Sequence, residues 1–223
     1  MRILVFGAGV LGCNLANNLY QYKKDVVLLA RGKWAKQISE HGLAIHHFFG
    51  KRTFSRIPVI EELKADDCYD AIFVAVRYTQ LDSVIPVLQA NATKNIVFVG
   101  NNVRCEEYRN RLPEKNVLFA FASSAGHRES EHVESVDIRK ITIGQLKDDE
   151  SNQQLIDRIF GDTKYRVTYE LSKDLYLHEI DPLLFVKAIY LTFFGLNCNS
   201  VNMICLIDCS SGNILLTYVR NRR

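Results

Sequence analysis

The stretch Arg2-Ile3-Leu4-Val5-Phe6-Gly7-Ala8-Gly9-Val10-Leu11-Gly12 decides the fold. Residues 2–6 form a short, continuously apolar run, the pattern of a strand buried on both faces of a parallel sheet. Gly7 ends it. A helix is predicted from about Val10 to Tyr22, with Leu11, Leu15 and Leu19 four apart on one face. Asp25–Ala30 (Asp-Val-Val-Leu-Leu-Ala) reads as a second buried strand. A strand, a glycine turn, a helix and a strand within about 30 residues make a βαβ crossover. In that setting Gly7, Gly9 and Gly12 have distinct uses. Gly7 permits the tight turn, Gly9 lets the backbone approach a pyrophosphate, and Gly12 lets the helix pack on the strand. The N–H groups of Ala8, Val10 and Leu11 lie beside them, at a helix start whose dipole favours an anion. The bland alternative, a glycine-rich structural turn, does not require this strand–turn–helix context.

Outward from this unit, strands and helices alternate. Lys33–Glu40 is predicted helical, and Leu43–Val59 reads as two short strands or a hairpin around Gly50-Lys51. Tyr69–Val76, Asn95–Val99 and Val117–Ala122 are apolar strands; Thr79–Ala90 and Cys105–Arg111 are helices. A polar, hairpin-like region follows, with strands near His132–Val136 and Lys140–Ile143, then a helix over Ser151–Phe160 and a strand over Tyr165–Tyr169. The fold class is therefore α/β: a Rossmann-type, doubly wound, mainly parallel sheet over residues 1–170, followed by a short helical C-terminal segment over 171–223.

Ligands of such sheets bind beyond the carboxyl ends of the strands, so the residues just after each strand are the site candidates. After the second strand comes Arg31, where a domain preferring NAD would carry an acidic residue. A guanidinium there suits the 2′-phosphate of NADP(H) through charge and forked hydrogen bonds. After the third comes Arg77, within reach of the nicotinamide end or an anionic substrate. After the fourth comes Asn101, a hydrogen-bonding group for substrate or cofactor amide. For Arg77 and Asn101 an ordinary loop role is as open as a functional one.

Composition excludes other classes. The chain has 223 residues, 48% hydrophobic and 24% charged, enough for a core of ordinary size. A net charge of +3, evenly spread, does not argue for nucleic acid. No signal-peptide pattern and no run long enough to span a bilayer are seen, so the expectation is a cytoplasmic protein. The six cysteines form no CxxC pair, so neither zinc nor redox motif is suggested. The histidines suggest no metal constellation either: His46 and His47 are adjacent and would point to opposite strand faces, and His127 and His132 fall in the polar hairpin region. No metal is expected. Ser123-Ser124 follow the fifth strand and could face a substrate, but no base partners them.

MRILVFGAGVLG, VVLLARG, AIFVAVRYTQ, VFVGNNVRCEEY and ITIG, in this order and spacing, resemble the ketopantoate reductase (2-dehydropantoate 2-reductase) family over about residues 1–182. The resemblance implies NADPH-dependent reduction of a 2-keto acid, 2-dehydropantoate, to the 2-hydroxy acid of the pantothenate pathway. It implies that Gly7, Gly9 and Gly12 hold the pyrophosphate, Arg31 the 2′-phosphate, and that Asn101 lies near nicotinamide and substrate. Three positions depart from the family. Arg77 replaces a lysine, Asn101-Asn102 replaces Asn-Gly, and His178 falls where the catalytic lysine is expected. A protonated histidine is a competent general acid near neutral pH. Lys173 and Lys187 are the alternatives if the register over Leu171–His178 differs.

The family carries a longer helical second domain. From Leu171 to about Leu196 the pattern here is helical, but after Asn199 the 3.6-residue periodicity stops, as in a truncated or frame-shifted reading frame or an unusual dimerisation tail. Leu183, Leu184, Phe185, Ile189, Tyr190 and Phe193 crowd one apolar segment, from which a homodimer is expected. The alternatives to a 2-keto acid reductase are a catalytically silent NADP(H)-binding or sensor protein and a reductase of another ketone or imine.

Overall fold

The computed structural model describes residues 1–48, 50–100, 104–144, 150–170, 201–208 and 213–220. Its frame is one large, mostly parallel sheet. In chain order the first elements are β1 (Arg2–Phe6), α1 (Val10–Gln21), β2 (Asp25–Leu29), α2 (Gly32–His41), β3 (Leu43–His47), β4 (Arg52–Ser55) and β5 (Val59–Ile60). Then come β6 (Ala71–Val74), α3 (Tyr78–Ala90), β7 (Asn95–Val99), α4 (Cys105–Arg111), β8 (Asn116–Arg128), β9 (Val133–Gly144), α5 (Glu150–Phe160) and β10 (Arg166–Glu170). The strands run β4-β3-β9-β8-β7-β6-β1-β2-β5 across the sheet, with β10 also on β9. Within it, β5-β2-β1-β6-β7-β8 follows the 3-2-1-4-5-6 order of a doubly wound nucleotide fold, and the chain reverses direction of winding between β1 and β6.

Alternation along the central strands builds a core on each sheet face. Ile3 and Val5 join Leu15, Leu19, Phe73, Ile156 and Phe160 on one side. Leu4 and Phe6 join Leu81, Ile85, Phe98 and Tyr108 on the other. Strands apolar at every position are what two covered faces require. The predicted leucine face of α1 is there, with Leu15 and Leu19 buried. The stripe flanking it, Asn14, Asn17 and Asn18, is buried too, although it is polar. Asn14 Nδ2 donates to Ser124 Oγ (3.0 Å), and Asn14 Oδ1 accepts from Ser135 Oγ (3.1 Å). Asn17 Oδ1 accepts from Ser55 Oγ (2.8 Å), and Asn18 Nδ2 donates to Asp137 Oδ2 (2.6 Å). Buried amides need such partners, and β4, β8 and β9 supply them.

The hairpin around Gly50-Lys51 is present as the antiparallel pair β3–β4. The polar region after β8 differs from its prediction. β8 does not stop at Ala122 but runs on to Arg128, and β9 is one strand where two were expected. A bulge between Ala122 and Ser124 lets the long pair stay in register. The histidine reading is corrected as well. β3 pairs with β9 in parallel, His46 opposite Glu134, and this brings His46, His132 and Glu134 onto one cluster that sequence spacing did not reveal.

The expectation of a helical 171–223 segment does not hold for the part that is described. Val201–Asp208 and Asn213–Arg220 form an antiparallel two-stranded sheet. β-branched residues recur in both strands (Val201, Ile204 and Ile207 in the first; Ile214, Thr217 and Val219 in the second), which favours strand over helix. The predicted helix over 171–196 and the apolar run 183–194 lie outside the described residues. Among the described residues no helix is long and apolar enough to cross a membrane.

Candidate functional site

A cavity of about 1120 Å³ opens over the carboxyl ends of β1, β2, β6 and β7, at the point where the winding reverses. Its floor is the Gly7–Gly12 loop, and each glycine there has its own physical reason. Gly7 has φ +113°, and a Cβ on it would lie 2.6 Å from the Ala75 carbonyl oxygen. A Cβ on Gly12 would meet the Gly7 carbonyl oxygen at 1.9 Å, so only glycine lets α1 seat against β1. Gly9 is different. It caps α1 with an ordinary extended backbone (φ −79°, ψ −173°), and no atom lies within 4 Å of the place its Cβ would take. No packing demand explains that glycine; a ligand pressed against the backbone would. Of the other loop residues predicted to bind, Ala8, Val10 and Leu11 also line the cavity.

The first turn of α1 carries no acidic residue, which leaves its positive end available to an anion. Arg31 caps α2 at the end of β2, exposed on the cavity wall. Arg77 caps α3 at the end of β6, also exposed on that wall. Its backbone is fixed by Gln80, whose amide donates to the Arg77 carbonyl (2.8 Å) while its side-chain oxygen accepts from the Arg77 N–H (3.3 Å). Asn101 and His178, the two predicted catalytic residues, lie outside the described residues.

The structure adds residues that the sequence reading missed. β8 outruns β7, pairing with it only as far as Ala120, and its far half overhangs the cavity with Ser124 and Arg128. The Arg128 guanidinium stacks 5.3 Å from the centre of the Trp34 ring. Trp34 in turn donates its indole N–H to the Ala8 carbonyl oxygen (3.0 Å), tying α2 to the glycine loop. Arg128 was invisible because its strand was predicted to end six residues earlier. Trp34, the one tryptophan of the chain, is the sequence signal that points to this contact. Ser124 lines the cavity, where its hydroxyl oxygen accepts from Asn14 Nδ2 (3.0 Å).

The charges converge. Arg31, Arg77 and Arg128 are on the wall, and no Asp or Glu is among the described lining residues. One carboxylate stands just beside it: Glu61 accepts from the Gly32 N–H at 3.0 Å, at the start of α2 next to Arg31. Beneath the site Cys13 is buried, and burial pushes its thiol up to about 12, so it is an inert packing group.

The fold and this cavity define a Rossmann-type α/β protein with an arginine-bearing cavity at its switch point. The chain belongs to a family described as ketopantoate reductase PanE/ApbA, whose model matches residues 3–148. Solved structures agree on the fold. A probable 2-dehydropantoate 2-reductase from Bacillus subtilis superposes with a TM-score of 0.67 at 19% identity, over 77% of this chain and 59% of that one. A 2-dehydropantoate 2-reductase from Porphyromonas gingivalis gives 0.67 at 17% identity, over 79% and 66%. A D-mandelate dehydrogenase solved with NADH and anilino(oxo)acetate gives 0.65 at 20% identity, over 79% and 58%. The chain thus spans about 59% of the Bacillus protein's length. No curated protein sequence matches it.

Proposed function

We propose that this protein is an NADPH-dependent oxidoreductase that reduces a 2-keto acid of the 2-dehydropantoate type to its 2-hydroxy acid. The observation that carries the reading is a switch-point cavity with an unobstructed Gly9 floor and three arginines on its wall. Family membership and the structural likeness to 2-dehydropantoate 2-reductases support it. Gly7–Gly12 would hold the pyrophosphate and Arg31 the 2′-phosphate. Arg77 and Asn101 would orient the nicotinamide end and the substrate carboxylate. When bound, the reduced nicotinamide supplies a hydride to a ketone carbon. His178 would hold the proton that the carbonyl oxygen takes up, in place of the family's lysine.

Titration calorimetry with NADPH and NADH tests the cofactor half. Arg31→Ala should weaken NADPH at least tenfold and leave NADH nearly unchanged, since a forked, charge-assisted contact to phosphate is worth about 1.5–3 kcal/mol. An unchanged preference removes NADP(H) from the reading. Glu61 favours the opposite preference, because a carboxylate at that edge can accept from a ribose hydroxyl. Turnover across a panel of 2-keto acids tests the catalytic half. His178→Ala should lower kcat while leaving the NADPH dissociation constant in place.

A second reading, a catalytically silent NADP(H)-binding protein, is favoured by histidine standing where the family resemblance expects lysine. Tight NADPH binding with no turnover on any 2-keto acid would select it. We also propose a homodimer, from the apolar run at 183–194. Light scattering that finds a monomer throughout the micromolar range would refute the dimer.

A further inference from the structure

A second cluster of reactive side chains lies away from the cofactor cavity, where β3 meets β9. Glu134 Oε1 is 3.0 Å from His46 Nδ1 and 2.8 Å from His132 Nε2. The two imidazole rings stack face to face, centroids 3.9 Å apart and 28° from parallel. The donor atoms of all three residues fall within 4.8 Å of one another, and each side chain is about a quarter exposed. Beside them is a second cavity, of about 300 Å³, lined by His46 and Glu134 together with Lys51 and Arg52. His47, next in sequence, also lines this cavity, but it is not part of the donor cluster; its Nε2 lies 2.9 Å from Thr53 Oγ1.

We propose that His46, His132 and Glu134 form a binding site for a divalent transition-metal ion, zinc first, with the small cavity giving room for a fourth ligand. Zinc holds imidazole nitrogen and carboxylate oxygen at about 2.0–2.2 Å, so neighbouring donors of a tetrahedral centre stand about 3.3 Å apart. The two observed N···O separations fall short of that by only a few tenths of an ångström, and side-chain rotation covers the difference. Each imidazole offers its lone pair to the ion by carrying its proton on the other ring nitrogen. Two imidazoles and a single carboxylate suit zinc, copper or nickel. Calcium and magnesium, which call for an oxygen-rich shell, do not fit. Lys51 and Arg52 would oppose a bare cation, and they favour water deprotonation or an anion at the fourth position. The pairing register makes the site, because His46 sits opposite Glu134 across β3 and β9. Metal binding would therefore pin that sheet edge and raise the stability of the chain.

The full chain, stripped with chelator, is titrated with zinc chloride in competition with a chromophoric chelator. The expected result is one zinc per chain, with affinity at least tenfold weaker in His132→Ala and in Glu134→Gln, and a rise in Tm on adding zinc that both variants lose. Circular dichroism checks that the variants fold, and His46→Ala replaces either one that does not. Cobalt substitution should show ligand-field bands without thiolate-to-cobalt charge transfer. Zinc affinity that the variants retain, or a thiolate band assigning the metal to cysteine, overturns the proposal.

Discussion

Two glycines three residues apart, Gly9 and Gly12, separate binding from folding at the scale of single residues. Alanine at Gly12 would bring its Cβ to 1.9 Å from the Gly7 carbonyl oxygen, so α1 must move off β1. Overpacking of this severity costs about 1–3 kcal/mol or more. Alanine at Gly9 meets nothing within 4 Å, and its backbone is one that alanine adopts freely. Gly9→Ala should therefore leave Tm within a degree or two of the parent and weaken NADPH at least tenfold, whereas Gly12→Ala should lower Tm by several degrees. Thermal melts and nucleotide titration of the two variants check this. Equal loss of Tm in both would mean that Gly9 is structural after all.

Elements meet in this protein through a polar seam as well as a greasy one, and the seam between α1 and β9 carries a pH dependence. Asp137 is half-buried as a residue, but its carboxyl group is enclosed. Burial raises its pKa above the usual carboxylate range, against the opposing effect of hydrogen bonds from the Arg139 amide (3.1 Å) and Asn18. In the unfolded chain an aspartate releases its proton near about pH 3.9. Between that pH and the folded value the native state keeps a proton that the unfolded state has lost, so stability falls as pH rises. Denaturation of wild type and Asp137→Asn at a series of pH values should show the wild type's advantage shrinking from pH 4 upward, until the folded group has ionised. An advantage that grows with pH would reverse the sign assigned here.

On the scale of the whole molecule, a sheet covered on both faces decides which groups solvent reaches. Cys13 lies at the centre of one core, and Cys105 is half-buried against the other, with burial raising its thiol to about 11. Cys68 is exposed. Peptide mapping after brief iodoacetamide treatment at pH 8 should find Cys68 labelled and Cys13 protected until the chain unfolds. Early modification of Cys13 would show that the first core opens far more readily than its burial implies.

The sequence by itself determined the βαβ start, the parallel sheet and the glycine loop, because a 2-residue or 3.6-residue period and a glycine that no other residue replaces are local facts. It also marked Arg31 and Arg77, since the residue after a parallel strand falls at the ligand edge in any such sheet. Tertiary structure alone decided that α1 buries an asparagine face, that β8 runs on far enough to bring Arg128 over Trp34, and that His46 meets His132 and Glu134. These depend on which strands pair and in what register. Register is fixed by contacts between residues some 90 or 120 positions apart, such as His46 with Glu134 and Asn14 with Ser135, which no local period records.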